Sequence, residues 1–173
     1  MASYDLGKQE VVNWIKNHFW QGATCLDVGA CDGKYYDLLG NYLVMDAVEI
    51  FTPNIGWHQL EKKYRRVFNA DIHGLTYDYY DLIIFGDVLE HMSIDKAQAV
   101  LEYAKHHCID IIVGVPWLYP QGELYGNPYE RHIQADLTEE VFNQRYHGFA
   151  KLFDFENKYA YFHLENPPRA NQF

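Results

Sequence analysis

The most informative stretch of the sequence lies near the amino terminus and reads Leu26-Asp27-Val28-Gly29-Ala30-Cys31-Asp32-Gly33. It follows an apolar run that begins at residue 23 and precedes a segment with helical spacing, so a first strand is expected to turn here into a helix. Glycine allows positive φ angles and lets backbone N–H groups approach a ligand, because no Cβ is present. Gly29 and Gly33 therefore predict a ligand-binding turn at the end of the first strand.

Short apolar runs alternate with helical stretches through the rest of the chain. The predicted strands are residues 23–28, 42–49, 66–70, 80–85, 109–115, 148–155 and 158–164. Strands separated by helices pair in parallel, whereas the last two are separated only by Glu156 and Asn157 and are expected to pair antiparallel. The prediction is an α/β fold: a doubly wound, mostly parallel seven-stranded sheet with helices on both faces and an antiparallel C-terminal hairpin.

Apolar side chains recur at helical spacing in the segments between these strands. The first helix is expected to end near residues 21–22, and a helix is predicted over residues 55–64. Ser93 is predicted to open the helix that separates the fourth and fifth strands, and Thr138 to cap the last helix. Each helix is expected to cover the sheet with its apolar face.

Length and composition favour one soluble domain. The chain has 173 residues, of which 49% are hydrophobic, and no Gly/Ser/Pro-rich linker divides it, so residues 1–173 are predicted to form a single domain. Within it, residues 1–22 are expected to be a cap helix, residues 116–136 a lid loop on the substrate side, and residues 165–173 a tail. The net charge of −10 argues against a nucleic-acid partner, because contact with phosphates needs a basic face.

The cysteines and the apolar runs indicate where the protein is located. Cys25, Cys31 and Cys108 are odd in number and lack C-x-x-C spacing, which disfavours both a disulfide framework and a structural zinc site. No metal is expected, and reduced thiols favour the cytoplasm. No apolar run approaches the ~20 residues that span a bilayer, and the amino terminus lacks the pattern of a secretion signal, so no membrane partner is expected.

The glycine turn resembles motif I of the class I S-adenosylmethionine-dependent methyltransferases of the small-molecule type, in which an apolar strand precedes Asp-x-Gly-x-Gly-x-Gly. Asp27, Gly29 and Gly33 match this motif, and Cys31 replaces its middle glycine. The resemblance implies that S-adenosylmethionine is the cofactor and that Asp27, Gly29, Ala30 and Gly33 belong to its binding site. A nicotinamide dinucleotide fits less well, because its G-x-G-x-x-G fingerprint is absent.

Acidic residues follow the second and third predicted strands. Glu49 comes 20 residues after Gly29, which is about the interval at which a carboxylate binds the ribose hydroxyls in doubly wound folds. By the resemblance, Ile50 also belongs to the cofactor site, Asp71 binds the adenine amino group, and the backbone of Ile72 contacts the ring. The alternatives are an ordinary surface carboxylate for Glu49 and a turn residue for Asp71.

The end of the fourth strand resembles the same family most specifically, with the sequence Gly86-Asp87-Val88-Leu89-Glu90-His91. The resemblance implies that Gly86 and Asp87 face the methionine part of the cofactor and that His91 lies near the acceptor, with Glu90 structural. A hydroxyl or ammonium acceptor must lose a proton, and histidine suits this role at neutral pH. His91 and His132 are the predicted catalytic residues, unless catalysis depends on positioning alone.

The loop over residues 116–136 is rich in proline, glycine and tyrosine, and is interpreted either as a lid over the acceptor or as a self-packed surface loop. With the resemblance, which covers roughly residues 23–162, the sequence predicts an enzyme that transfers a methyl group from S-adenosylmethionine to an O or N atom of a small molecule, a metabolite or glycan precursor. S-adenosylhomocysteine is the implied product. The alternative is a non-catalytic regulatory module that binds the same cofactor, which Cys31 in the glycine turn leaves open.

Overall fold

A computed structural model describes residues 5–166, which contain one seven-stranded sheet. The strands are β1 Thr24–Val28, β2 Val44–Val48, β3 Val67–Phe68, β4 Tyr80–Gly86, β5 Cys108–Pro116, β6 Ala150–Phe155 and β7 Tyr159–Glu165. Their order across the sheet is β3-β2-β1-β4-β5-β7-β6. The first five strands pair in parallel, and β7 pairs antiparallel with β5 and β6. The predicted fold class is confirmed.

Helices connect the strands. They are α1 Lys8–His18, α2 Lys34–Leu39, α3 Thr52–Trp57, α4 Leu60–Lys63, α5 Ile94–Lys105 and α6 Glu139–Arg145. Two short 3₁₀ helices lie at Leu89–His91 and Pro128–Glu130. Within residues 5–166, none of the helices has the length and apolarity needed to span a bilayer.

Two hydrophobic cores lie on opposite faces of the sheet. Alternate residues of β4 enter different cores: Ile83 and Phe85 pack with α5 and α6, whereas Leu82 and Ile84 pack with α1, α2 and α4. This alternation follows from the two-residue period of a strand. Because both faces are covered, β4 and β5 are buried along almost their whole length, as is usual for strands in a parallel sheet.

Two predicted local signals lie where the sequence pattern placed them. Glu156 and Asn157 lie in the hairpin turn with φ angles of 55° and 52°, although the turn has three residues, 156–158, because β7 begins at Tyr159 and not at residue 158. The Thr138 hydroxyl accepts a hydrogen bond from the backbone N–H of Val141 at 3.2 Å and so caps α6. Ser93 precedes α5 in extended backbone, but its side chain makes no capping hydrogen bond.

Several predicted boundaries differ from the structure. The helix predicted over residues 55–64 is divided into α3 and α4, because Gln59 has a φ angle of 53° and interrupts the helical backbone. α1 ends at His18, since Phe19 turns to extended backbone. β3 has only two residues, and the Asn69 side chain, rather than its backbone, continues the contact with β2 by donating to the Glu49 carbonyl at 2.9 Å.

The predicted tail begins later than residue 165. Glu165 is the last residue of β7, and the backbone N–H of Asn166 donates to the Ile109 carbonyl at 2.8 Å, so both residues belong to the sheet region. The remainder of the predicted tail, residues 167–173, and residues 1–4 of the predicted cap segment lie outside the described residues.

Candidate functional site

A cleft opens at the carboxyl-terminal edge of the parallel strands, where the turns after β1, β2 and β4 meet. It holds about 820 Å³ of non-protein space, counting the solvent at its mouth. Open α/β sheets bind their ligands at this edge. Eight of the twelve predicted site residues line it: Gly29, Glu49, Ile50, Asp71, Ile72, Gly86, Asp87 and His91.

The other four predicted residues do not line this cleft. Asp27 is buried in the protein, where its carboxylate accepts a hydrogen bond from the Tyr64 hydroxyl at 2.5 Å. Burial raises the pKa of Asp27 to about 7, against the opposing effect of that hydrogen bond. Ala30 is buried, and Gly33 is the residue from which α2 begins. His132 contacts the cleft only through the ring of His91.

The turn after β1 contains three residues with positive φ, which are Gly29 at 72°, Cys31 at 48° and Gly33 at 79°. A Cβ at Gly29 would lie 2.8 Å from Cγ2 of Val88, so this position requires glycine unless a neighbour moves. Cys31 occupies the position of the middle glycine in the methyltransferase motif, and it keeps the left-handed backbone that glycine adopts readily. The replacement therefore preserves the backbone conformation of the turn.

Glu49 follows β2 and is only 3% exposed, so it is not a surface carboxylate. One carboxylate oxygen accepts the backbone N–H of Cys31 at 2.8 Å, and the other accepts that of Phe51 at 2.7 Å. Burial raises the pKa of Glu49, while these two hydrogen bonds act in the opposite direction. The Asn54 side chain is a third hydrogen-bond partner and also lowers the pKa. Because a carboxylate offers about four acceptor positions, room remains for a donor on a ligand.

Asp71 lines the cleft after β3, and both of its carboxylate oxygens have partners. Nζ of Lys96 lies 2.5 Å from one oxygen, and the backbone N–H of His73 donates to the other at 2.9 Å. The second bond is that of a turn residue, which was the alternative interpretation of Asp71. An adenine amino group bound at Asp71 therefore has to share the carboxylate with Lys96, a residue of α5 that also lines the cleft.

The end of β4 turns sharply at the cleft. A Cβ at Gly86 would lie 2.6 Å from the ring of Tyr35, so glycine is required here for close packing. Asp87 has a φ angle of 56° and donates its backbone N–H to the Gly114 carbonyl at 3.0 Å. This turn brings both residues to the cleft wall.

Two histidines from different segments meet beside this turn. The ring centroids of His91 and His132 are 4.7 Å apart, and the rings are nearly perpendicular, at 78°. Nδ1 of His91 lies 3.2 Å from the carbonyl oxygen of Arg131, and Nδ1 of His132 lies 2.6 Å from that of Tyr119. Because a carbonyl only accepts hydrogen bonds, each Nδ1 carries the proton and each Nε2 of the neutral ring has a lone pair.

The two rings are largely shielded from solvent, which changes their pKa values. Burial, together with the neighbouring His132, lowers the pKa of His91 to about 4. Burial also lowers the pKa of His132. The adjacent Glu90 is 1% exposed, and neither of its carboxylate oxygens has a hydrogen-bond partner among the described residues. Burial, together with the charge of Asp87, raises the pKa of Glu90 well above its usual value.

Other cleft residues were not singled out by the sequence pattern. Three of them belong to the loop over residues 116–136, so the sequence indicated the segment but not the positions: Asn127, Tyr129 and Glu130. Lys96 carried no signal, because a lysine on an amphipathic helix is typical of a solvated face. Asn54 lies in the segment predicted to be only a covering helix or the turn before it.

Solved structures share this architecture. A 1,6-didemethyltoxoflavin-N1-methyltransferase from Burkholderia thailandensis, with bound 1,6-didemethyltoxoflavin and S-adenosylhomocysteine, has a TM-score of 0.68 at 17% identity and covers 94% of this chain and 79% of its own. For the N-methyltransferase NodS from Bradyrhizobium japonicum WM9 the TM-score is 0.66 at 12% identity, with 92% and 94% covered. The chain has the class I methyltransferase fold.

A third structure with this methyltransferase fold is magnesium protoporphyrin IX methyltransferase (ChlM) from Synechocystis PCC 6803 with bound SAM. Its TM-score is 0.64 at 16% identity, over 90% of this chain and 76% of its own. No protein-family model and no curated protein sequence matches the chain. The resemblance predicted from the glycine turn and the Val-Leu-Glu-His segment is thus confirmed at the level of the methyltransferase fold.

Proposed function

We propose that this protein is an S-adenosylmethionine-dependent methyltransferase that acts on an O or N atom of a small-molecule acceptor, a metabolite or a glycan precursor. One observation supports the proposal above the others. A single cleft on the methyltransferase fold contains the glycine turn after β1, the buried Glu49 after β2 and the Gly86 turn after β4. A cytoplasmic location, a single domain and the absence of a nucleic-acid partner, all expected from composition, belong to the same proposal.

In this proposal the cofactor lies along the carboxyl-terminal edge of the sheet. Glu49 accepts hydrogen bonds from the ribose with the acceptor capacity that Cys31, Phe51 and Asn54 leave open. Asp71 and Ile72 bind the adenine, and Gly29 and Gly86 allow close approach of the methionine part. The role of three further residues is to hold the glycine turn in place rather than to contact the cofactor, since they do not line the cleft: Asp27, Ala30 and Gly33.

Methyl transfer from a sulfonium is a displacement. A lone pair of the acceptor forms a bond to the methyl carbon, the carbon–sulfur bond breaks, and its electron pair remains on sulfur. Most of the rate enhancement comes from holding the three atoms in line. Where the acceptor carries a proton, Nε2 of His91 is the candidate base, because burial keeps this ring neutral at pH 7 and the residue lines the cleft.

A thermal-shift comparison tests the proposed cofactor. At ~100 times its dissociation constant a ligand adds about 2.7 kcal/mol to the stability of the native state, which raises the melting temperature of a chain of this size by roughly 5–10 °C. We expect this shift with S-adenosylmethionine and with S-adenosylhomocysteine, and none with NAD. An absence of shift with both adenosyl compounds would contradict the proposal, and a shift with NAD alone would favour an oxidoreductase.

Turnover separates the enzyme from a regulatory module with the same fold. The assay measures release of S-adenosylhomocysteine across a panel of hydroxyl and amine acceptors. We expect His91→Ala to lower turnover more than cofactor affinity. Cofactor binding without turnover on any acceptor would favour the regulatory module. Full activity of both His91→Ala and His132→Ala would show that catalysis depends on positioning alone, without a histidine base.

A further inference from the structure

Glu90 is a buried acid whose carboxylate has no hydrogen-bond partner among the described residues. It belongs to the 3₁₀ helix that follows β4 and is 1% exposed. A buried carboxyl group that is neither paired nor hydrogen-bonded costs free energy on folding. Such a group points to a binding role, toward a ligand that supplies positive charge or hydrogen-bond donors.

Two imidazoles stand beside this carboxylate. One donor atom from each of Glu90, His91 and His132 lies within 4.8 Å of the other two. Both rings donate their Nδ1–H to a backbone carbonyl, and this is the hydrogen bond that typically orients a metal-binding histidine and leaves Nε2 as the ligand atom.

Backbone contacts hold the two segments of this cluster together. The N–H groups of Ile133 and Gln134 both donate to the Glu90 carbonyl, at 2.8 and 3.0 Å. The Gln134 side chain donates to the carbonyl groups of Leu89 and Met92, at 2.8 and 3.1 Å. The loop after β5 is therefore docked on the 3₁₀ helix by contacts that do not involve the three donor side chains, and the cluster is organised in advance of any ligand.

We propose that Glu90, His91 and His132 bind one divalent transition-metal ion, with zinc as the best-suited ion, beside the cleft. Two imidazole nitrogens and one carboxylate oxygen are a typical zinc donor set, whereas magnesium and calcium prefer oxygen ligands alone. Bonds of ~2.0–2.1 Å in tetrahedral geometry separate ligand atoms by roughly 3.3 Å, so the side chains close inward by up to about 1.5 Å on binding. Three protein ligands leave a fourth position for water or a substrate oxygen, and His91 lines the cleft.

This proposal departs from the expectation that the chain holds no metal, and it does not depend on methyl transfer. With the ion bound, Nε2 of His91 is a ligand and cannot accept a proton, so the base role proposed for His91 applies to the metal-free protein alone. The ion would join the loop over residues 116–136 to the turn after β4 and so stabilise the wall of the cleft.

Calorimetric titration with zinc chloride tests the site. The protein is prepared without a histidine tag, stripped with a chelator and dialysed. We expect one zinc ion per chain in the wild type, at least tenfold weaker binding in His91→Ala and in His132→Ala, and wild-type affinity in His147→Ala, which changes an exposed histidine outside the cluster. Equal affinity in all four proteins, or no binding by the wild type, would overturn the proposal.

The Glu90→Gln variant shows whether the metal has three protein ligands or only the two histidines. Its zinc affinity and the visible spectrum of its cobalt-loaded form are compared with those of the wild type. Glutamine keeps the shape of the side chain but removes the carboxylate, so we expect weaker zinc binding by at least tenfold and a changed visible spectrum of the cobalt-loaded protein. Unchanged affinity and spectrum would exclude Glu90 as a ligand. Binding of S-adenosylhomocysteine is measured on the metal-stripped protein, so that failure of the methyltransferase proposal shows there and failure of the metal site shows in the zinc titration.

Discussion

Two buried carboxylates of the protein, Asp46 and Glu90, have opposite surroundings. Asp46, in the middle of β2, is fully buried and accepts hydrogen bonds from both Arg65 and Arg66, which precede β3, and from Tyr80, which begins β4. Glu90, after β4 on the cleft side, is equally buried and accepts none among the described residues.

The pKa values follow this difference. Burial raises the pKa of Asp46, but the hydrogen bonds from Arg65, Arg66 and Tyr80 outweigh it and lower the pKa to about 2. At Glu90, burial and the charge of Asp87 prevail, and the pKa is raised well above its usual value. A buried acid therefore stabilises the fold only where hydrogen-bond donors of the protein itself reach its carboxylate. An acid buried without donors at the ligand edge costs stability and is explained better by binding.

Asp46→Asn should cause the largest loss of stability. Removing the charge leaves two arginines without their common partner, and the free energy of unfolding should fall by about 3 kcal/mol, at the lower end for a broken buried pair because the arginine side chains are 46% and 43% exposed. Urea unfolding measures this change. The control is Asp78→Asn, because Asp78 also pairs with Arg66 but is 71% exposed, and it should cost less than about 1 kcal/mol. Equal losses of stability in Asp46→Asn and Asp78→Asn would contradict the stabilising role of the buried carboxylate.

Acid unfolding should show the next largest effect. The pKa of Asp46 is lower in the folded protein than the usual 3.8, so its stabilising contribution is fully present above pH ~4 and is lost as the pH falls towards 2. The lost contribution amounts to about 2 kcal/mol. Between pH 5 and pH 2 the stability of Asp46→Asn should therefore fall less steeply than that of the wild type, and parallel pH profiles would contradict the assignment.

Glu49→Ala tests whether a buried acid at the carboxyl-terminal edge of the sheet serves mainly to bind a ligand. Glu49 is a buried acid like the other two, but its donors are two backbone N–H groups and the Asn54 side chain, with no arginine among them, so we expect its main role to be ligand binding. The affinity for S-adenosylhomocysteine should fall ~10–100-fold, which corresponds to about 1.4–2.7 kcal/mol, while the circular dichroism spectrum remains that of the folded protein. Glu61→Ala, at an exposed position of α4, is the control and should bind normally. An unchanged affinity would remove Glu49 from the site.

Glu90→Gln should have the smallest effect on the metal-free protein. No described residue depends on the Glu90 carboxylate for a hydrogen bond, so its loss should change the free energy of unfolding by less than about 1 kcal/mol. The same variant should reduce the stabilisation that zinc gives to the wild type, because its zinc binding is weaker. A loss as large as that of Asp46→Asn in the absence of metal would show that Glu90 is a structural acid after all.

Local sequence patterns were sufficient for the framework of the site. The glycines at Gly29 and Gly33 predicted a turn with positive φ, and the 20-residue interval predicted that Glu49 lies beside it. The break at Gln59 could not be predicted, because the helical pattern over residues 55–64 is continuous and glutamine rarely adopts the left-handed conformation. Lys96 was missed for a similar reason, since its approach to the cleft depends on how α5 packs.

The sequence by itself determined the α/β architecture, the edge at which a ligand binds and eight of the residues that line the cleft, because strand and helix periods, glycine turns and strand ends are all local properties. Only the tertiary structure decided which distant side chains meet there. Asp46 and Tyr80 are 34 positions apart, and His91 and His132 are 41 positions apart. Their partnership depends on how strands order and where a loop docks, and no periodicity within one segment encodes such long-range contacts.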